Sequence, residues 1–352
     1  MKIFYSFILL PVLVFASNID PLYDFDYARL GVKGIYLTGG AEVNLDNALY
    51  DKHGKKLYSS GGLRYSGRDI WVPIRAGYSF NKSFSSGFVI PFVSFLHKTK
   101  AAYGIPEEHE SNTGIGNPWV WGKVISSVSD GFFIGPRFGV KIPIGAYTLE
   151  EQRSDFYNNS SVNLKATLGD KSWAFDIAVL YGARSNSSSF RMDGHLALRY
   201  SIKGRYKYDE YYTYSYPDWQ TGEPVVVTAT RKVVRDISPG MWLDFCFMPG
   251  IALGDDDIES YLCFNFSKML TAYKSVTTTA GIAEPEVVTR GGSIFSVGVK
   301  FDYLIDYKNT LELKFIYDLV AYGGEKNEYL TSSEPMPAGM SVGIGYFGYI
   351  PM

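Results

Sequence analysis

Apolar and polar residues alternate one by one over segment after segment of this chain, and each segment stops at a turn or loop. The clearest sets Phe295, Val297, Val299, Phe301 and Tyr303 against Ser296, Gly298, Lys300 and Asp302. The next sets Leu311, Leu313, Phe315, Tyr317 and Leu319 against Glu312, Lys314, Ile316 and Asp318. Strand side chains point alternately to two faces, so each segment is a strand with one greasy and one charged side. Strands of soluble proteins average about five or six residues. These run to about ten, the length a tilted strand needs to cross a bilayer. The pattern predicts an all-β protein, a transmembrane antiparallel up-and-down β-barrel.

Twelve such segments fall near 31–44, 69–80, 87–98, 115–127, 131–143, 172–183, 190–203, 240–253, 256–269, 293–305, 309–321 and 338–349. Their connections alternate strictly between long and short, as in bacterial outer-membrane barrels with long outer loops and tight periplasmic turns. Both termini then lie on the short-turn side. Ser160 to Leu168 and the tyrosine-rich Arg205 to Tyr216 read as hairpin extensions above the membrane; if they entered the wall, the count would be 14. No internal repeat or linker divides the chain, so residues 18–352 form one domain.

The alternation assigns the inner face. It places Arg75, Lys123, Arg137, Lys141, Asp176, Arg191, Asp193, His195, Arg199, Lys203, Asp244, Lys300, Asp302, Glu312 and Lys314 in the lumen. Ile70, Ile74, Phe138, Ile177, Leu196 and Leu198 face lipid. A charge on the lipid face would cost about 2–4 kcal/mol near the midplane, and none falls there. Trp71, Trp119, Trp121 and Trp242 also point inward, where they suit a weakly polar or aromatic solute as well as simple packing.

The first residues carry Lys2, an apolar run from Ile3 to Phe15, and small residues at Val14 and Ala16. That is a secretory signal peptide, residues 1–17, and implies export. Asn18 to Ala28, with Pro21, Asp20, Asp24 and Asp26, is a poor membrane strand and belongs on the periplasmic side or in the barrel mouth. No later stretch approaches the about 18 apolar residues of a membrane helix. A mean hydropathy of -0.05 with 16% aromatics fits a barrel rather than a helical membrane protein or a disordered chain. The 28 tyrosines and 23 phenylalanines suit girdles at two membrane–water interfaces. The net charge of -2 gives no sign of a nucleic-acid partner.

Thr113-Gly114-Ile115-Gly116-Asn117-Pro118-Trp119-Val120-Trp121-Gly122-Lys123 and, one turn later, Gly135-Pro136-Arg137-Phe138-Gly139-Val140-Lys141-Ile142-Pro143-Ile144-Gly145 carry a resemblance. Together they resemble the outer-membrane family labelled "meta-pathway of phenol degradation". The resemblance implies a bacterial outer-membrane barrel that admits small, often aromatic, molecules. Asn117 stands where the family pattern has Asp, and Ile144 where it has Thr. The chain ends Tyr349-Ile350-Pro351-Met352 rather than in the terminal Phe that barrel-assembly machinery reads.

No catalytic set emerges. Ser187, Ser188 and Ser189 lie in a turn at the far end of the strand from His195, and the Asp255-Asp256-Asp257 run lacks the spacing of a calcium loop. No metal or cofactor motif is present; Gly114-x-Gly116 opens no helix. The expected function is a passive channel for small solutes, in contact with outer-membrane lipid, with a structural or adhesion barrel as the alternative and an outer-membrane hydrolase behind it. The sequence carries no signal for oligomeric state.

Two registers can be set out in advance. Cys246 and Cys263 both face inward. A two-residue turn at Gly254-Asp255 would set them directly opposite, close enough for a disulfide, whereas a four-residue turn would leave them diagonal. For the 293–321 hairpin, a loop Tyr307-Lys308-Asn309 sets Asp302 opposite Lys314. Sliding by two would set Asp302 against Glu312 and Lys300 against Lys314, and like charges directly opposite are unfavourable.

Overall fold

The computed structural model describes residues 33–56, 64–100, 108–129, 131–145, 150–153, 162–165, 171–184, 188–218, 220–254, 257–279, 281–306, 308–326, 333–334 and 336–352. The signal peptide and the Asn18–Ala28 segment lie outside the described residues. The long strands are β1 (Gly34–Tyr50), β2 (Arg64–Ser79), β3 (Phe84–Lys100), β4 (Glu108–Ile115), β5 (Trp119–Val124), β6 (Phe132–Lys141), β7 (Ala174–Arg184) and β8 (Phe190–Ser201). They continue as β9 (Gly204–Pro217), β10 (Pro224–Ser238), β11 (Met241–Leu253), β12 (Ile258–Met269), β13 (Ser293–Leu304), β14 (Asn309–Tyr322) and β15 (Met336–Pro351).

Each wall strand pairs antiparallel with the next, and β15 returns to β1 with Ile350 opposite Ile35 and Val342 opposite Val43. The wall is therefore closed, which removes the exposed sheet edges that hydrocarbon cannot satisfy. It has twelve strands. The alternative of fourteen fails because β8 pairs directly with β11, with Tyr200 opposite Met241. The β9–β10 hairpin starts where that pairing stops and continues outward as an extension.

One wall strand is interrupted. Both β4 and β5 pair with β3; Gly116 N still donates to Pro91 O of β3 at 2.8 Å, but Asn117 and Pro118 leave the ladder. Pro118 has no N–H to donate. Its carbonyl instead accepts from Ile142 N at 2.9 Å, and Asn117 Oδ1 accepts from Gly145 N at 2.9 Å. A Cβ on Gly145 would lie 2.7 Å from the Gly116 carbonyl carbon, so only glycine fits. The two motifs that carry the family resemblance thus meet at this break.

The outer surface inverts the soluble pattern. Ile177, Phe138 and Leu262 are 56%, 55% and 55% exposed, while Asp176, Arg137, Lys141 and Glu259 of the same strands are buried; Lys268, one residue from the end of its strand, is the exposed charge on the outward parity of β12, where alternation placed none. That arrangement is stable only against lipid.

One advance register needs correction, and of the two left open for the cysteines the diagonal one forms. In β13–β14, Lys300 lies opposite Lys314 and Asp302 opposite Glu312, so the expected Asp302–Lys314 pair does not form. Even positions still face even ones, so facing is kept and only the register slides. The turn that forms is held by Asp306, whose carboxylate accepts from Lys308 N at 2.6 Å, Asn309 N at 2.8 Å and Asn309 Nδ2 at 2.8 Å. Cys246 and Cys263 are buried free thiols, not a disulfide. Cys246 faces Asn265 and Cys263 faces Gly298, the diagonal arrangement of the longer turn, entered through Gly254 at φ 66°.

The Asp306 turn makes a pH prediction. Donation from the Asn309 side chain, then from Lys308 N, lowers the Asp306 pKa. A carboxyl depressed on folding contributes stability above its unfolded pKa and loses it as pH falls through the lower folded value. Amide exchange at Lys308 and Asn309 is therefore expected to accelerate relative to other turns as pH drops below about 4. An Asp306→Asn variant should show no such step, and a wild-type turn equally protected at both pH values would refute the account.

Candidate functional site

The interior is the candidate site, and it is built by the inward half of each strand's alternation. On β6 and β7, Arg137 Nη2 lies 2.9 Å from Asp176, and Arg199 of β8 reaches the other Asp176 oxygen at 3.7 Å. The Arg199 guanidinium also lies 5.3 Å above the Trp119 ring, and Lys123 Nζ 5.2 Å from the Trp121 ring. Lys141 donates to Ser172 Oγ at 3.3 Å. Trp119 and Trp121 therefore act as cation–π partners of Arg199 and Lys123.

A second set of contacts crosses the interior. Arg184 of β7 reaches Glu259 of β12 at 3.0 Å, although β8 and β11 separate these strands in the wall. Arg191 donates to the same carboxylate at 3.1 Å, and Tyr261 OH donates to it at 2.9 Å. Arg184 also lies 3.5 Å from Asp193. Beside Tyr261, 4.7 Å above its ring, sits Lys300 Nζ, which is 2.9 Å from Asp302 and 3.6 Å from Glu312. Lys314 turns away to Glu42 of β1 at 2.8 Å. These contacts explain the tolerated register: each lysine finds a carboxylate along its own strand, on the diagonal or beyond the neighbouring strand.

The third set is acidic. Reading along one rung from β3, His97 faces Gly67, Gly67 faces Asp46, and Asp46 faces Gly339. The Gly339 N–H donates to Asp318 Oδ2 at 2.9 Å, and Ser296 Oγ donates to Asp318 Oδ1 at 2.6 Å. One rung deeper, Asn44 faces Asp69 on one side and Ser341 on the other, and His97 Nε2 lies 2.7 Å from Asp69 Oδ1. Just outward of Asp46, Ala48 faces Ala338. Ala338 belongs to a buried apolar belt with Trp242, Tyr206, Met269, Tyr273 and Ile294, and Tyr50 packs against it.

The remaining expected residues are placed as follows. Arg75 is buried, and His195 is buried opposite Cys246. Asp244 Oδ1 accepts from Ser267 Oγ at 2.6 Å. Lys203 does not face the lumen: its side chain is 62% exposed and lies 3.5 Å from Asp236 of the extension. Sequence reasoning missed Arg184, assigned to a turn, and Glu42, Asp46 and Glu259. The outward Leu262 and Phe264 were enough to place Tyr261 and Glu259 inside. No group of three His, Cys, Asp or Glu among the described residues is placed to hold a metal ion.

No family model matches the sequence, and no curated protein matches it. Solved structures do. An outer-membrane channel from Pseudomonas putida F1 superimposes with a TM-score of 0.51 at 11% identity, covering 94% of this chain and 100% of that one. The fold is that of an outer-membrane barrel. The translocator domain of the autotransporter NalP from Neisseria meningitidis gives 0.40 at 7% identity, covering 90% and 88%. A Pseudomonas aeruginosa FadL homologue gives 0.39 at 9% identity, covering 90% of each chain.

Proposed function

We propose that this protein is a passive outer-membrane channel for small aromatic or weakly polar solutes. In this reading it is exported through its N-terminal segment, inserted by barrel-assembly machinery, and embedded by its apolar outer face in lipid. The observation that carries the reading is the stacking of an apolar, aromatic belt at the outer end over a mixed-charge lattice inside a closed barrel. A solute sheds water against Tyr50, Trp242 and Tyr273, then passes side chains that bond to whatever polar group it carries. Arg199, Arg184 and Lys314 keep 15%, 19% and 20% of their side chains exposed, so the path runs beside them rather than past Arg137 and Lys123. Selection comes from width and from the order of charges met, and no bond is made or broken. The aromatic preference rests on the motif resemblance and on the belt.

A structural barrel without transport is the second reading. It is favoured by the burial of Arg137, Lys123 and Lys300, each 1% exposed, which narrows a twelve-strand interior. Planar-bilayer recording of the purified barrel separates the two. Discrete conductance steps, partly blocked by small aromatic solutes, are expected. A barrel that inserts and stays silent across a panel of such solutes would leave only the structural reading.

A further inference from the structure

We propose that the outer half of the lumen holds a binding site for a small aromatic amine in its protonated form. The proposal deepens the channel reading by naming the charge of the preferred solute. Its anionic half is the rung around Asp46. Both ladder neighbours of Asp46 are glycines, Gly67 and Gly339, so no side chain stands beside its carboxylate on either adjacent strand. The next titratable groups along that rung are His97 on one side and Asp318 on the other, with Asp69 one rung deeper.

A second observation points to a ligand. Asn44 and Ser341, 7% and 5% exposed, face each other on the rung beneath Asp46. Asn44 Nδ2 and Ser341 Oγ have no hydrogen-bond partner among the described residues. Orphaned buried polar atoms are costly and mark places where a polar guest belongs. An ammonium brings the donors that Ser341 Oγ and the Asp46 carboxylate accept; Asn44 Nδ2 is itself a donor and is left for an acceptor.

The guest is an organic cation rather than a metal. The carboxylates are spread along a rung and between rungs, and none of their groupings converges tightly enough to ligate a metal ion. One register step outward, Ala338 connects the rung to the belt of Trp242, Tyr206, Met269 and Tyr273. An aromatic ring lodges there while its nitrogen reaches down to Asp46. An anion of the same shape meets the Asp46, Asp69 and Asp318 carboxylates at this rung and is disfavoured there.

The test uses the full-length folded barrel in detergent and three probes of nearly equal shape: 2-phenylethylammonium, 2-phenylethanol and phenylacetate. Titration calorimetry should show the amine binding at least about tenfold more tightly than the alcohol, and phenylacetate more weakly than either. Asp46→Asn, which keeps side-chain size, should bring amine and alcohol within about twofold of each other. Asp318→Asn serves as the second variant, with heat-modifiable gel migration showing that each is folded. Equal binding of amine and alcohol, or an amine preference that survives both substitutions, overturns the site. Single-channel recording separates this from the channel reading. Amine binding in a silent barrel upholds the site and overturns the channel; conductance without charge preference does the reverse.

Discussion

Lys300→Met is expected to destabilise the barrel by about 3–5 kcal/mol, the usual cost of removing one partner from a buried ion pair. Lys300 is 1% exposed and holds two carboxylates, Asp302 at 2.9 Å and Glu312 at 3.6 Å. Methionine keeps the length of the side chain, so the loss is electrostatic rather than a cavity. The two acids then face each other across β13–β14 with no cation between them. Neutralising all three, as Lys300→Met with Asp302→Asn and Glu312→Gln, should recover most of the loss, because no uncompensated charge remains. Urea unfolding of vesicle-embedded barrel, followed by gel mobility, reads both variants. A single variant within about 1 kcal/mol of wild type would show that water reaches Lys300 and that the lattice is looser than described.

Glu259→Ala should enlarge and recharge the conducting path. Glu259 is where Arg184, Arg191 and Tyr261 converge, and the Arg184 contact at 3.0 Å spans the interior between non-adjacent strands. Without the carboxylate, two guanidiniums repel and Arg184 loses its ionic anchor on β12, leaving the Tyr261 hydroxyl at 3.1 Å and Asp193 at 3.5 Å among its contacts. Unitary conductance is expected to rise several-fold, and the reversal potential in a salt gradient to move toward anion selectivity. A variant that folds, conducts as wild type and keeps its ion preference would show that the path does not pass the Arg184–Glu259 contact.

Twelve strands and the facing of most wall residues were legible from period-two alternation, because lipid imposes one rule along the wall; Lys203, at a strand end beyond it, was not. Register was less legible. The rule against like charges opposite one another considers two strands at a time, and it rejected the pairing that forms. Lys314 is satisfied by Glu42, which lies beyond β15, and Lys300 by Asp302 two residues along its own strand. Such partners appear only once the sheet has closed. The acidic rung was hidden for a different reason. Gly39 and Gly40 blur the alternation of β1, and a bulge between Asp46 and Ala48 shifts its phase. Asp46 then reads as loop rather than wall, just past the last strand residue, Asn44. For the cysteines the missing quantity was turn length, which alternation does not encode.

The β1–β15 seam joins Gly34 to Pro351, near opposite ends of the described chain. A contact between such distant residues forms late, since the closure entropy of the whole intervening chain opposes it. Until then each terminal strand displays a free row of N–H and C=O groups in search of a partner. The hazard of this fold is therefore concentrated in time rather than in space. A chain held open along that seam is poised to pair with another of its kind, and once closed it offers no edge by which to begin.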